Sequence, residues 1–148
     1  MSSEMGLVEM LVRLVAAAGM GGVIGLDREL RGRAAGLRTH MLVALGAAAF
    51  LLVGLEILFA TAEGDPSARI DPTRIVEGVV GGIGFLGAGT IIRSGGSVQG
   101  ITTGAAIWVA GAIGVACAIG QLALAAMVTV LAVVIIALLG LLVPVQTP

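Results

Sequence analysis

The chain has no lysine and no tyrosine, one cysteine, one histidine, one tryptophan and three phenylalanines. A single cysteine excludes an internal disulfide, and a single histidine without neighbouring cysteines argues against a zinc site. Charged residues make up 11% of the sequence, against about 25% in average soluble domains. The net charge of −1 argues against a nucleic-acid partner, which requires a clustered basic surface. No Ser/His/Asp or Cys/His set is present, so we expect no enzyme activity and no cofactor, with Mg²⁺ left open as a ligand.

Apolar and small residues are abundant instead. Hydrophobic residues make up 58% of the chain, glycine contributes 24 of the 148 residues, and the mean hydropathy is +1.13. A soluble core built from so many small residues would be poorly specified, whereas helices in lipid prefer small residues at their contacts. The composition therefore predicts an all-α integral membrane protein that contacts the lipid bilayer.

Five transmembrane helices are predicted within a single domain covering residues 1–148. A helix needs about 20 apolar residues to cross a bilayer. Runs of this kind occupy residues 6–26, 40–60, 72–92, 104–119 and 121–143. Asp71 and Pro72 favour a helix start, as an N-cap followed by the first helical position. The segment 97–103 is predicted to be a connection, either at the membrane surface or dipping into the membrane.

Four of the eight arginines lie between Gly25 and His40 and determine the predicted orientation. These residues are Arg28, Arg31, Arg33 and Arg38. Because short arginine-rich loops stay in the cytoplasm, the N-terminus is predicted outside and the C-terminus in the cytoplasm. Asp27 and Arg31 are four residues apart, so this stretch could continue the first helix and pair its charges. The same arginines could also dock anionic lipid headgroups.

Three glutamates lie within the apolar runs, near their predicted outer ends: Glu9, Glu56 and Glu77. One interpretation is an outer vestibule of carboxylates for a hard cation such as Mg²⁺, which prefers oxygen ligands. The alternative is three interfacial glutamates that reach water, with Glu9 paired to Arg13 and Glu77 near Arg74. The sequence leaves both interpretations open.

Glycines recur at helical spacing. Gly82 to Gly87 match the G-x-G-x-x-G pattern, but that motif needs a preceding strand, and here it lies in an apolar helical run. A spacing of four residues, as between Gly21 and Gly25, favours close helix packing instead. The glycines assigned to helix packing are Gly21, Gly25, Gly78, Gly82, Gly84, Gly87 and Gly89. The partners of such surfaces are expected to be other membrane proteins, and a homo-oligomer is left open.

The remaining single residues have local predicted roles. His40 is predicted to be a helix-end residue that makes local hydrogen bonds. Trp108 fits an interfacial anchor. Cys117 is predicted to pack inertly among apolar side chains.

Three stretches of the chain resemble the membrane domain of the MgtC/SapB family, in the same order. They are GLDRELRGRAAGLRTHMLVALGAAAF, DPTRIVEGVVGGIGFLGAGTIIR and GITTGAAIWVAGAIGV. By matching position, the resemblance implies a functional signature of Asp27, Arg28, Arg38, Thr39, Asp71, Arg74, Arg93, Thr103 and Trp108.

The resemblance implies a multi-pass protein of the bacterial inner membrane with about five helices. Family members are associated with growth at low magnesium and, in some pathogens, with survival inside macrophages. The first implied function is regulation or binding of other membrane proteins, and transport of Mg²⁺ or another cation is the alternative. Many relatives carry a cytoplasmic domain after the last helix, so we expect this chain to be a short member or to lack that domain.

Overall fold

The computed structural model describes residues 5–64, 71–94 and 96–142. Within these ranges the chain forms five α-helices and one two-stranded antiparallel sheet. Helices α1 to α5 span Leu7–Leu30, Leu37–Gly64, Thr73–Gly89, Ile101–Ala118 and Leu122–Leu142, and strands β1 and β2 span Ile92–Ser94 and Ser97–Gln99. The stretches long and apolar enough to cross a bilayer are Leu7–Leu30, Leu37–Thr61 and Ile101–Ala118. The prediction of a helical chain is confirmed, and three of the described helices have the length and composition to cross a membrane.

The first two helices extend beyond their predicted ends. α1 continues to Leu30 instead of ending at residue 26, and Arg31 Nε donates to Asp27 Oδ1 over 2.9 Å within its last turns. The chain then turns at Gly32. α2 begins at Leu37 instead of residue 40, and the Glu29 carboxylate caps it by accepting the Leu37 N–H at 2.8 Å. The predicted loop therefore shrinks to residues 31–36, and α1 and α2 lie antiparallel.

The segment after α3 forms a β-hairpin, where the sequence predicts a longer helix and a plain connection. α3 ends at Gly89 rather than near residue 92, and Ile92 pairs with Gln99 across the two strands. β-branched residues at 90–92 favour extended backbone, and a Gly-Gly pair favours a tight hairpin turn. The predicted helix to residue 92 is therefore wrong. The segment 97–103 contains β2 and the first turn of α4.

Helices α1, α2 and α4 form the centre of the bundle. Fully buried side chains along α4 are Ala110, Ile113, Cys117 and Ala118. A Cβ at Gly114 would collide with the carbonyl oxygen of Ala44, so no larger side chain fits between α2 and α4 at this point. Small residues therefore set the distance between the central helices, as is usual in lipid.

Gly21 and Gly25 lie at the contact between α1 and α2. Their spacing of four residues puts both on the same face of α1. A Cβ at Gly21 would lie 2.6 Å from the carbonyl oxygen of His40. A Cβ at Gly25 would lie 2.8 Å from the Cα of Leu37. Both distances are too short for any side chain, so the two backbones approach directly.

Helix α3 contacts the bundle along one side only. A Cβ at Gly87 would lie 3.2 Å from the carbonyl oxygen of Gly104 in α4, and the Ile83 side chain rests against Gly111. The other α3 glycines assigned to packing meet nothing within 4 Å in the described part of the chain, namely Gly78, Gly82, Gly84 and Gly89. Any packing role of these four therefore requires a molecule outside the described chain.

Candidate functional site

A buried polar cluster lies where α1 ends and α4 begins. Arg28, in the last turn of α1, is 4% exposed, and its Nη2 donates to Thr103 Oγ1 at 2.7 Å. Thr103, in the first turn of α4, is 5% exposed. Among the described residues no carboxylate lies within ion-pair distance of Arg28. The chain thus buries a guanidinium against a hydroxyl group, joining two signature residues that are 75 positions apart.

His40 is fully buried at the start of α2. Its Nδ1 lies 2.9 Å from the carbonyl oxygen of Gly36, the kind of local hydrogen bond that the sequence predicts. Since a carbonyl oxygen only accepts, Nδ1 carries the hydrogen, and Nε2 of the neutral ring presents a lone pair. Within the described ranges His40 Nε2, Arg28 Nε and Asp27 Oδ2 are buried without a hydrogen-bond partner. Buried polar atoms are normally paired, so these three mark a place for a ligand or water.

The arginine-rich stretch divides into a buried and an exposed part. Arg28 faces the interior, so it does not share one exposed surface with the other three arginines. Arg31 pairs with Asp27. The exposed residues that follow are Arg33, Arg38 and Thr39. Surface docking by this stretch would therefore depend on Arg33 and Arg38.

An open apolar groove runs between α2 and α3, with a volume of about 660 Å³. Arg74 is the charged residue among those that line it, and Gly46, Gly78 and Gly82 leave open space at their Cβ positions. Its lining comprises Leu42, Val43, Gly46, Ala47, Phe50, Arg74, Ile75, Gly78, Val79, Gly82, Ile83 and Leu86. The groove has the size of a ligand pocket but lies on a face that a membrane protein turns to lipid or to another helix.

The three glutamates do not come together. Glu9 pairs with Arg13 on its own helix, and Arg13 also donates to the carbonyl oxygen of Ala118 at 2.5 Å, at the end of α4. Glu77 is exposed, whereas Glu56 is half-buried and its Oε1 lacks a hydrogen-bond partner in the described structure. No group of three or more His, Cys, Asp or Glu side chains within the described residues is placed to hold a metal ion. Within the described residues the three glutamates therefore do not form a shared vestibule.

Asp71, Arg74, Arg93 and Trp108 are exposed signature residues. Asp71 accepts hydrogen bonds at Oδ1 from the Thr73 hydroxyl at 2.6 Å and the Thr73 N–H at 2.9 Å, just before α3 begins. These two hydrogen bonds lower the pKa of the Asp71 carboxyl below its usual value. Arg93 lies on β1, and Trp108 is 47% exposed on α4. Among the signature residues, the structure brings together Arg28 and Thr103, with Asp27 beside Arg28 in sequence.

Comparison with known proteins decides the family. The model of the MgtC family matches residues 14–144, nearly the whole chain. The chain belongs to the MgtC family. The resemblance read from the three sequence stretches is thereby confirmed, and with it the assignment of this helical chain to a family of membrane proteins. No solved structure matches the chain significantly.

Curated relatives in the MgtC family match the chain closely. The "Putative magnesium transporter YhiD" of Escherichia coli (strain K12) is 44% identical over 105 residues, which are 71% of this chain and 48% of that protein. "Protein MgtC" of Brucella abortus (strain 2308) is 44% identical over 126 residues, 85% of this chain and 49% of the relative. "Protein MgtC" of Salmonella typhimurium (strain LT2) is 42% identical over 133 residues, 88% of this chain and 53% of the relative. The chain spans about half the length of the curated relatives it matches.

Two polar residues of this MgtC-family chain have structural roles that the sequence prediction does not include. Glu29 caps α2, and His40 is buried in the α1–α2 contact. A signal for His40 is present in the sequence, because it precedes Ala44, Ala48 and Leu51 at helical spacing, and all three are buried. For Glu29 no comparable signal exists, since its partner is a backbone N–H across a turn.

Proposed function

We propose that this MgtC-family chain is a non-enzymatic protein of the bacterial inner membrane that supports growth at low magnesium by binding other membrane proteins. The observation that supports this most is the groove between α2 and α3, where Gly78 and Gly82 meet no other part of the described chain. Because the chain spans half the length of its relatives, the proposal concerns their membrane part.

The occupant that fits the groove is a transmembrane helix of a partner protein. Gly78 and Gly82 lie one turn apart on α3, and Gly46 has the same open space on α2. Lipid tails are as apolar as leucine, so helix association in membranes relies on close packing at small residues. A helix about 10 Å wide with its own small residues could contact the backbone of both groove walls.

Gly82→Leu is expected to fill the groove and prevent partner binding while the chain stays folded. The new side chain meets open space, because nothing lies within 4 Å of a Cβ at this position. The measurement is crosslinking in living cells from a photoreactive residue in place of Leu86, another lining residue, with adducts identified by mass spectrometry. Loss of close helix contact should lower the yield of protein adducts about tenfold or more. A tenfold loss of affinity corresponds to ~1.4 kcal/mol of binding free energy.

Gly84→Leu is the matched control. Gly84 is exposed on the same helix, meets nothing within 4 Å and does not line the groove. This variant should keep the adducts, and it should grow normally at low magnesium where Gly82→Leu fails. Equal adduct yields from the two variants would contradict the proposal, and adducts to phospholipid alone would show that lipid occupies the groove.

All five helices are proposed to cross the membrane, with the N-terminus outside and the C-terminus in the cytoplasm. Helix α3, the shortest at 17 residues, is still about 26 Å long at 1.5 Å per residue. In intact spheroplasts, Gln121→Cys should react with an impermeant maleimide, whereas Arg33→Cys should react only after lysis. Cys117 is buried and keeps the background low. Labelling of both positions from the same side would contradict this orientation.

Cation transport is the second candidate function, and Glu56 favours it. Its Oε1 is buried without a partner within the described structure, and carboxylates inside membranes often mark ion pathways. The name of the Escherichia coli relative YhiD also refers to magnesium transport. If the chain transports Mg²⁺, liposomes containing it should show a flux that Glu56→Gln abolishes and Glu77→Gln preserves. We expect no flux above that of empty liposomes, and a Glu56-dependent flux would favour transport over partner binding.

A further inference from the structure

The beginning of α4 presents backbone donors that have no hydrogen-bond partner among the described residues. The residue before the helix is Gly100, and no side chain of the described residues caps this end. The Gly104 N–H is bonded to the Gly100 carbonyl oxygen at 2.9 Å, so the N–H groups of Ile101, Thr102 and Thr103 precede the first helical hydrogen bond. Such an end is a ready place for an anion, although a helix end alone does not make a site.

Arg28 is the second, independent feature at this end. Its guanidinium is 4% exposed and bonded to Thr103 in the first turn of α4, and its Nε–H is buried without a partner in the described structure. Thr103 Oγ1 accepts from Arg28, so the hydroxyl hydrogen of Thr103 remains available to donate. A buried cation without a carboxylate partner is costly, and an anion would relieve that cost. Guanidinium, hydroxyl and backbone N–H groups thus offer donors at one place.

The surrounding charges favour an anion as well. Arg33, Asp27 and Arg31 all lie close enough to act on the charge of Arg28, so positive groups outnumber the negative one. Asp27 Oδ1 pairs with Arg31, although its Oδ2 is buried without a partner among the described residues, and Glu29 caps α2. The first turn of α4 contains no acidic residue. The positive end of the α4 helix dipole adds to the same field.

We propose that the N-terminus of α4, together with Arg28 and Thr103, binds a phosphate group. Its oxygens would accept from Arg28 Nε–H, from the Thr103 hydroxyl and from the first backbone N–H groups of α4. Ile101 and Thr102 are exposed, so the helix end is open to an incoming group. The phosphate belongs either to free inorganic phosphate or to a phospholipid headgroup, because both present the same oxygens. This site lies on other elements than the α2–α3 groove and does not depend on the function proposed for it.

The test measures phosphate binding by the whole chain. Delipidated protein in detergent is titrated with inorganic phosphate at constant ionic strength, and native mass spectrometry compares phosphatidylglycerol with diacylglycerol, which lacks the phosphate. Saturable binding of inorganic phosphate identifies the free anion, and preference for phosphatidylglycerol without it identifies the headgroup. In either case Arg28→Gln should weaken binding about tenfold or more, as expected for loss of a charge-assisted hydrogen bond.

Arg13→Gln is the control, because it removes one positive charge from α1 about 22 Å along the helix from Arg28. It should change binding less than about twofold, since charges farther apart than about 10 Å are largely screened. If Arg28→Gln does not fold, Thr103→Val keeps the guanidinium and should still weaken binding. The proposal is overturned if wild-type protein binds neither ligand, if Arg13→Gln weakens binding as much as Arg28→Gln, or if a folded Thr103→Val binds like the wild type.

Discussion

Gly21→Ala is expected to lower the free energy of unfolding by about 2 kcal/mol or more. Overpacking a helix contact usually costs about 1–3 kcal/mol. The added methyl group would lie 2.6 Å from the carbonyl oxygen of His40 and 2.8 Å from the Cβ of Ala44. These atoms belong to the backbone of α2 or directly adjoin it, so they cannot rotate away as the end of a flexible side chain can. The helices would have to separate along their whole contact. The measurement is unfolding of the detergent-solubilised protein, followed by helical circular dichroism.

Gly19→Ala provides the control on the same helix. Gly19 is exposed and nothing lies within 4 Å of a Cβ at its position. Alanine forms helix better than glycine by about 1 kcal/mol in exposed positions, so this variant should be as stable as the wild type or more stable. A similar loss in both variants would show that the α1–α2 contact is not the cause.

The α1–α2 contact could be predicted because its causes are local in the sequence. Gly21 and Gly25 stand one turn apart, and the short connection after α1 brings α2 back against it. Hydropathy likewise predicts the helices, because a run of apolar residues is itself the property that a bilayer selects. These features need no knowledge of how distant parts of the chain meet.

Hydropathy gives the depth of a residue along the membrane but not its direction around the helix axis. Glu9, Glu56 and Glu77 were placed at similar depth, yet Glu9 pairs on its own helix, Glu56 is half-buried and Glu77 is exposed. The α3 glycines show the same limit. Gly87 faces α4 while Gly82 lines the open groove beside α2, and their spacing alone does not distinguish the two.

The Arg28–Thr103 contact could not be predicted for a different reason. The predicted helices, 6–26 and 104–119, leave both residues just outside, and although Asp27 and Arg31 suggest that the first helix continues, nothing in the sequence pairs Arg28 with Thr103. In the structure α1 extends past Arg28 and α4 begins before Thr103, so both side chains lie on helix faces and meet in the interior. Errors of a few residues at helix ends, which are the least certain part of sequence-based assignment, therefore hid the polar cluster.

Gly100→Ala is expected to lower the free energy of unfolding by about 3 kcal/mol or more, because left-handed strain and a backbone clash add at one position. Gly100 has a φ of +88°, and a Cβ there would collide with the carbonyl oxygen of Thr90, which precedes the hairpin. Gly96→Ala separates the two causes, since Gly96 has a φ of +93° but a Cβ there meets none of the described residues within 4 Å. It should lose only the strain, about 1–2 kcal/mol. The measurement is thermal unfolding of both variants in the same detergent. Equal losses in the free energy of unfolding would show that the contact between Thr90 and the start of α4 adds nothing to the strain.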